Sequence, residues 1–187
     1  LLGVTLLSFL VWQHHLFVSG INADLRPFYM LSTELISLPT GFIFICALGT
    51  LWLGRIRLTV PMLFALGWLF NFLIGGLSGV FLSDVPSDVT THGSFFSMAH
   101  FHYTIMGGLL FAFFAAIYYW VPKMTGYTIN ARLGKIHVWW VFIAFNSTLG
   151  PLPVIGFVRM PPLPVTHGRS LRWRYVVGHG LASLVRA

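Results

Sequence analysis

Five apolar runs, at roughly residues 1–18, 31–53, 60–82, 95–121 and 137–157, set the terms for any fold this chain can take. A hydrocarbon core about 30 Å thick is crossed by about 20 helical residues, and each run is close to that length. Of the 187 residues, 57% are hydrophobic and 8% charged, with mean hydropathy +0.83, which excludes an ordinary soluble globular domain. The expectation is an all-α, polytopic transmembrane helix bundle of about five spans.

The chain starts with Leu1 inside an apolar run that lacks a basic leader, so residues 1–18 do not read as a signal peptide, and the expected context is the interior of a larger protein. Cys46 is the single cysteine, which excludes an internal disulfide; its place in the second run predicts small core packing. The net charge of +7 comes from Lys and Arg residues concentrated in connections and at the C-terminal end, a distribution that suits membrane topology rather than a nucleic-acid face. "GRIR" at 54–57 and the connection carrying Lys123, Arg132 and Lys135 are expected on the cytoplasmic side or its equivalent. "LSDVPSDVTTHG", with Asp84 and Asp88 and no Lys or Arg, belongs on the other side. With this topology His14 and His15 lie near the outer end of the first run, and His100 and His102 about two turns into the fourth.

Ionisable groups inside a bilayer are costly, and neutral imidazole is a common metal ligand. The plain alternative is that each histidine only bonds a neighbouring helix, but four at similar depth favour ligation. A helix turns about 100° per residue, so His100 and His102 diverge by about 200° and cannot easily share one metal. They can hold two cofactors on opposite faces, and haems that each take one imidazole from this helix fit. His14 and His15 are adjacent near a helix end, where local unwinding would let both rings converge on one ion; copper suits an imidazole-only site, and so does zinc. A zinc hydrolase is disfavoured, because H-E-x-x-H is absent and none of the four acidic residues stands beside these histidines. Gly75, Gly76, Gly79, Gly107 and Gly108 read as packing glycines.

"VWQHHLFVSG", "SLPTG", "AHFHYTIMGG" and "KIH" resemble, in order and at matching intervals, subunit I of the haem–copper oxygen reductases, the cytochrome c oxidase family, over about residues 8–157. The resemblance implies a partial twelve-helix fold, with these blocks similar to its seventh to eleventh helices. It implies that His14 and His15 are two of three copper ligands, that His100 is the axial ligand of a high-spin haem, and that His102 is an axial ligand of a low-spin haem. The third copper ligand, the tyrosine joined to a copper histidine and the second low-spin haem ligand would then precede residue 1. Asp88 matches an acid near the haem propionates, and His92 a histidine of a magnesium or manganese site, although Gly93 stands where the family usually has aspartate. Thr40 matches a hydroxyl of the lysine-dependent proton path, but Ile43 stands where the typical branch has lysine. Glu34, the only carboxyl in the five runs, is a candidate substitute.

After "FNSTLGPLPVIG" the family usually carries paired arginines; here the chain has Pro161, Pro162 and Leu163. The organisation expected is therefore a transmembrane core at 1–157 and a divergent basic tail at 158–187, from divergence, truncation or a shifted reading frame. Arg169, Arg172 and Arg174 are too few to argue a nucleic-acid or lipid-binding tail. The implied function is that of a terminal oxidase catalytic subunit reducing dioxygen to water coupled to proton translocation. Its implied partners are subunits of the II and III types and cytochrome c or a quinol, in a bacterial plasma membrane or mitochondrial inner membrane, with no nucleic acid. A nitric oxide reductase of the same superfamily and a non-catalytic membrane remnant are the alternatives.

Overall fold

The computed structural model describes residues 1–157, which are helical apart from short connections, with no strand among the described residues. The tail at 158–187, with Pro161, Pro162, Leu163 and its arginines, lies outside the described residues. Among the described residues, four helices are long and apolar enough to cross a membrane: Ala23–Leu51, Val60–Ser83, Phe95–Thr125 and Ala131–Phe157. The count is four where the apolar runs predict about five. The first run forms only α1 (Leu2–Val11), because the backbone then tightens into a 3-10 turn at Trp12–Leu16.

The chain divides into two compact units. The first contains residues 1–56 and 76–92 and the second residues 57–75 and 93 onward, with α3 (Val60–Ser83) contributing to both. In the first unit α1 packs along α2 (Arg26–Leu51). Ser32 and Thr33, the two buried residues of α2, face this contact, and the Ser32 hydroxyl donates to the Leu10 carbonyl at 3.2 Å. Pro27 starts α2, where its missing N–H costs nothing, whereas Pro39 interrupts the ladder inside the helix. Cys46 lies on the uncovered face of α2 and is exposed, so the core packing expected of it is not what the fold provides. Among the described residues, the only face of α2 that is buried is the one around Ser32 and Thr33.

The fourth run is one continuous helix of three parts: α5 (Phe95–Thr104), a π-helical segment (Ile105–Leu110) and α6 (Phe111–Thr125). Ser94 caps α5 by accepting the Phe96 N–H at 3.1 Å. Gly126, at φ 76°, closes α6 in the left-handed conformation that glycine takes without penalty. Asn130 caps α7 (Ala131–Leu149), and after Gly150 and Pro151 the short α8 (Leu152–Phe157) packs on α5.

Lipid tails are as apolar as leucine, so helices in a bilayer associate through close packing and interhelical bonds rather than by escape from water. The second unit is built that way around Phe64, Tyr103, Phe111, Phe145 and Leu152. A Cβ on Gly75 would lie 3.0 Å from the Tyr103 carbonyl carbon and the Thr104 nitrogen, and one on Gly107 would lie 2.7 Å from the Asn71 Cβ. Both are close-approach glycines, as is Gly108 against the Phe72 ring at 3.0 Å. Gly76 is not, since a Cβ there meets nothing within 4 Å; its packing role in the sequence reading fails because it turns away from the contact that Gly75 makes.

Candidate functional site

In the first unit, the 3-10 turn Trp12–Leu16 carries His14 and His15. Tightening from 3.6 to about 3 residues per turn alters the angle between neighbouring side chains, and the two rings meet with Nε2 atoms 3.1 Å apart. The His14 Nδ1 lies 3.2 Å from the Thr33 hydroxyl oxygen, and that hydroxyl spends its proton on the Tyr29 carbonyl at 2.6 Å. Thr33 Oγ1 must therefore accept, which makes His14 Nδ1 a protonated nitrogen. Thr33 holds the ring from α2, a partner that the spacing of the histidines did not disclose.

In the second unit, α5 carries His100 and His102, both half-buried. His100 Nδ1–H donates to the Gly75 carbonyl of α3 at 3.0 Å, and His102 Nδ1–H donates to the Met98 carbonyl of its own helix at 2.8 Å. A carbonyl can only accept, so each ring carries a proton on Nδ1. Gly75 acts twice. Its missing side chain admits the backbone of α5, and that approach brings its carbonyl within reach of His100. The sequence marked Gly75 for packing only; no pattern of side chains announces a backbone carbonyl as a ring partner.

Asp88 and His92 face each other one turn apart on α4 (Val85–Thr91) and its C-cap, with Asp88 Oδ2 3.0 Å from His92 Nδ1. Asp88 is buried and His92 exposed. Gly93 takes φ 66°, so the residue that stands where the family usually has aspartate ends α4 in a left-handed turn. Magnesium asks for several oxygen ligands in an octahedron, and the described residues here offer one carboxylate already tied to an imidazole. The pair does not by itself fit such an ion, and no metal role is derived for it.

Burial raises the Asp88 carboxyl above the ordinary carboxylate range, and the His92 ring, by charge and hydrogen bond, and His15, by charge, pull it partly back. An acid raised on folding contributes stability that is fully present below its unfolded pKa and is lost as pH rises through the folded value. Asp88→Asn, which keeps the neutral form at every pH, is expected to flatten that part of the stability profile and to raise the unfolding midpoint at neutral pH. Thermal melts of the full-length protein from acid to neutral pH measure it; an unchanged profile would show that Asp88 does not titrate between the two states.

On α2, Glu34 is half-buried and no described residue pairs with its carboxyl, whereas the Thr40 hydroxyl donates to the Ile36 carbonyl of its own helix at 2.8 Å. Six residues apart, they stand about 9 Å along the axis and on different faces, so the helix does not bring them together. Among the described residues no three His, Cys, Asp or Glu side chains gather as a metal-holding group.

The family model of cytochrome C and quinol oxidase polypeptide I matches residues 1–184. The chain belongs to this family. The match runs beyond the 8–157 carried by the motifs and into the segment read as a divergent tail. Cytochrome c oxidase subunit 1 of Synechocystis is 45% identical over 159 residues, covering 85% of this chain and 29% of that protein. The subunit 1 of Candida albicans is 44% identical over 179 residues, covering 95% and 34%. That of Corynebacterium diphtheriae is 45% identical over 160 residues, covering 86% and 28%. The chain thus spans about a third of the length of the curated relatives it matches.

A haem–copper oxidase subunit holds haem and copper, and the donor chemistry here suits both. Histidines that ligate metals almost always donate their second ring N–H to a fixed acceptor, and His14, His100 and His102 all do so, to Thr33, Gly75 and Met98. Two nitrogens each about 2.0 Å from one ion, at ligand angles near 90–110°, stand about 3 Å apart, which the His14–His15 separation of 3.1 Å matches.

Proposed function

We propose that this chain is part of the catalytic subunit of a membrane terminal oxidase, in which electrons pass from a low-spin haem on His102 to a high-spin haem on His100 and a copper on His14 and His15. Dioxygen is the acceptor, water the product, and proton translocation is coupled to the transfer. The observation that supports this is the arrangement of α5, whose two histidines both commit their Nδ1–H groups to backbone carbonyls, as metal-ligating histidines do. When bound, the haems and copper supply the electron-transfer and dioxygen chemistry, and the protein supplies position and electronics.

The chain's own residues divide that work. Gly75 O fixes the His100 ring by accepting a hydrogen bond from its Nδ1–H, and Met98 O does the same for His102. Thr33 holds His14 so that its Nε2 points at His15. Asp88 stands near the haem propionates on the family pattern, and His92 orients it. Ile43 cannot relay a proton, and on this reading Glu34 is the ionisable element of α2, with Thr40 as a hydroxyl farther along. The partners are subunits of the II and III types and cytochrome c or a quinol as donor, in a bacterial plasma membrane or mitochondrial inner membrane.

An absorption spectrum and metal analysis of the purified full-length protein test the reading: two haem signals and copper are expected, and their absence leaves the non-catalytic remnant. Ile43 in place of lysine favours one rival, a nitric oxide reductase. Turnover with dioxygen is expected to exceed turnover with nitric oxide, and the reverse would establish the rival. Thr33→Val leaves the His14 Nδ1–H without its acceptor and is expected to weaken copper retention about 10- to 100-fold, read by chelator titration. Glu34→Gln is expected to leave the haem spectrum intact and slow dioxygen turnover; an unaltered rate would remove Glu34 from the proton route.

A further inference from the structure

Asn71 lies on α3 in the second unit, is 0% exposed, and has no hydrogen-bond partner for Oδ1 or Nδ2 among the described residues. Buried amides are almost always bonded to protein or to ordered water, because an unpaired one forfeits its hydration without return. We infer that Asn71 is one wall of an internal hydration site, where a single water molecule donates to Oδ1 and accepts from Nδ2.

Three observations point to water rather than an ion or an organic ligand. The amide is neutral and presents one acceptor and one donor group, a pairing that a water molecule can meet. Gly107 and the Phe145 ring pack against the base of the side chain: a Cβ on Gly107 would lie 2.7 Å from the Asn71 Cβ and 3.3 Å from that ring, so no bulky group approaches from that side. Gly107 belongs to the π segment Ile105–Leu110, where the winding departs from the i to i−4 ladder, the kind of place at which waters insert. The two polar atoms of the amide supply two of the two to four partners a buried water needs.

The site lies one helical turn from Gly75, whose carbonyl receives the His100 proton. The inference does not rest on the oxidase reading, and its test reads solvent rather than turnover.

A map of the full-length assembled protein at a resolution that shows ordered solvent is expected to contain a water within hydrogen-bond distance of both Asn71 side-chain polar atoms. Direct bonding of the amide to protein groups, or a dry amide, would overturn the inference. Asn71→Leu keeps the shape and removes both polar atoms, and its map is expected to lack that water; a water persisting in the leucine variant would show that Asn71 does not hold it. Should the variant fail to assemble, the wild-type map decides alone.

Discussion

His102→Leu in the full-length protein is expected to remove one haem absorption signal completely and leave the other, with haem content falling by half. The expectation follows from helical geometry and from the partners of the two rings. On α5 the two histidines are two residues apart and diverge by about 200°. Their protons go to different acceptors, His100 to Gly75 on α3 and His102 to Met98 on α5. Leucine at 102 deletes one Nε2 without disturbing the Gly75–His100 contact. His100→Leu is expected to remove the complementary signal. Loss of both signals from either single variant, with the protein still assembled, would mean that one helix does not serve two separate haems.

Gly156→Ala is expected to destabilise the protein by about 3 kcal/mol, the upper end of the usual cost of overpacking. A Cβ at this position would fall 2.6 Å from the Phe96 Cα, and a backbone atom cannot turn aside as a side-chain tip can. Phe96 also receives the N-cap of α5: Ser94 Oγ accepts its N–H at 3.1 Å, a bond worth about 1 kcal/mol. Moving Phe96 to admit the methyl group would strain the cap of the helix that carries His100 and His102. Thermal unfolding followed by circular dichroism measures the effect, and a midpoint equal to that of the wild type would show that α8 and α5 do not approach so closely in the assembled protein.

The residue types of the candidate sites were legible because the chemistry demands them. Imidazoles within apolar helices are rare and costly, so His14, His15, His100 and His102 stand out of the sequence without a structure. A departure from α-helical winding is present where His14 and His15 adjoin, but as tightening into the 3-10 turn Trp12–Leu16 and not as the unwinding expected. That turn is also why the first apolar run does not form a helix of membrane length, since run length counts residues and cannot see a change of winding. Cys46 was misread for a related reason. Hydropathy places a residue in a span, but in lipid both faces of a span are apolar, so hydropathy does not say which face is covered.

By itself, the sequence determined the class of the protein, the four apolar runs that form helices of membrane length and the imidazoles set among apolar residues, because these depend on composition, run length and residue identity. Only the tertiary structure decided what holds those imidazoles in place: the Thr33 hydroxyl for His14, the Gly75 carbonyl for His100, the Met98 carbonyl for His102. Two of these partners are backbone carbonyls, which every residue carries. Which carbonyl meets which ring is set by how closely two helices approach, and here the missing side chain of Gly75 permits that approach.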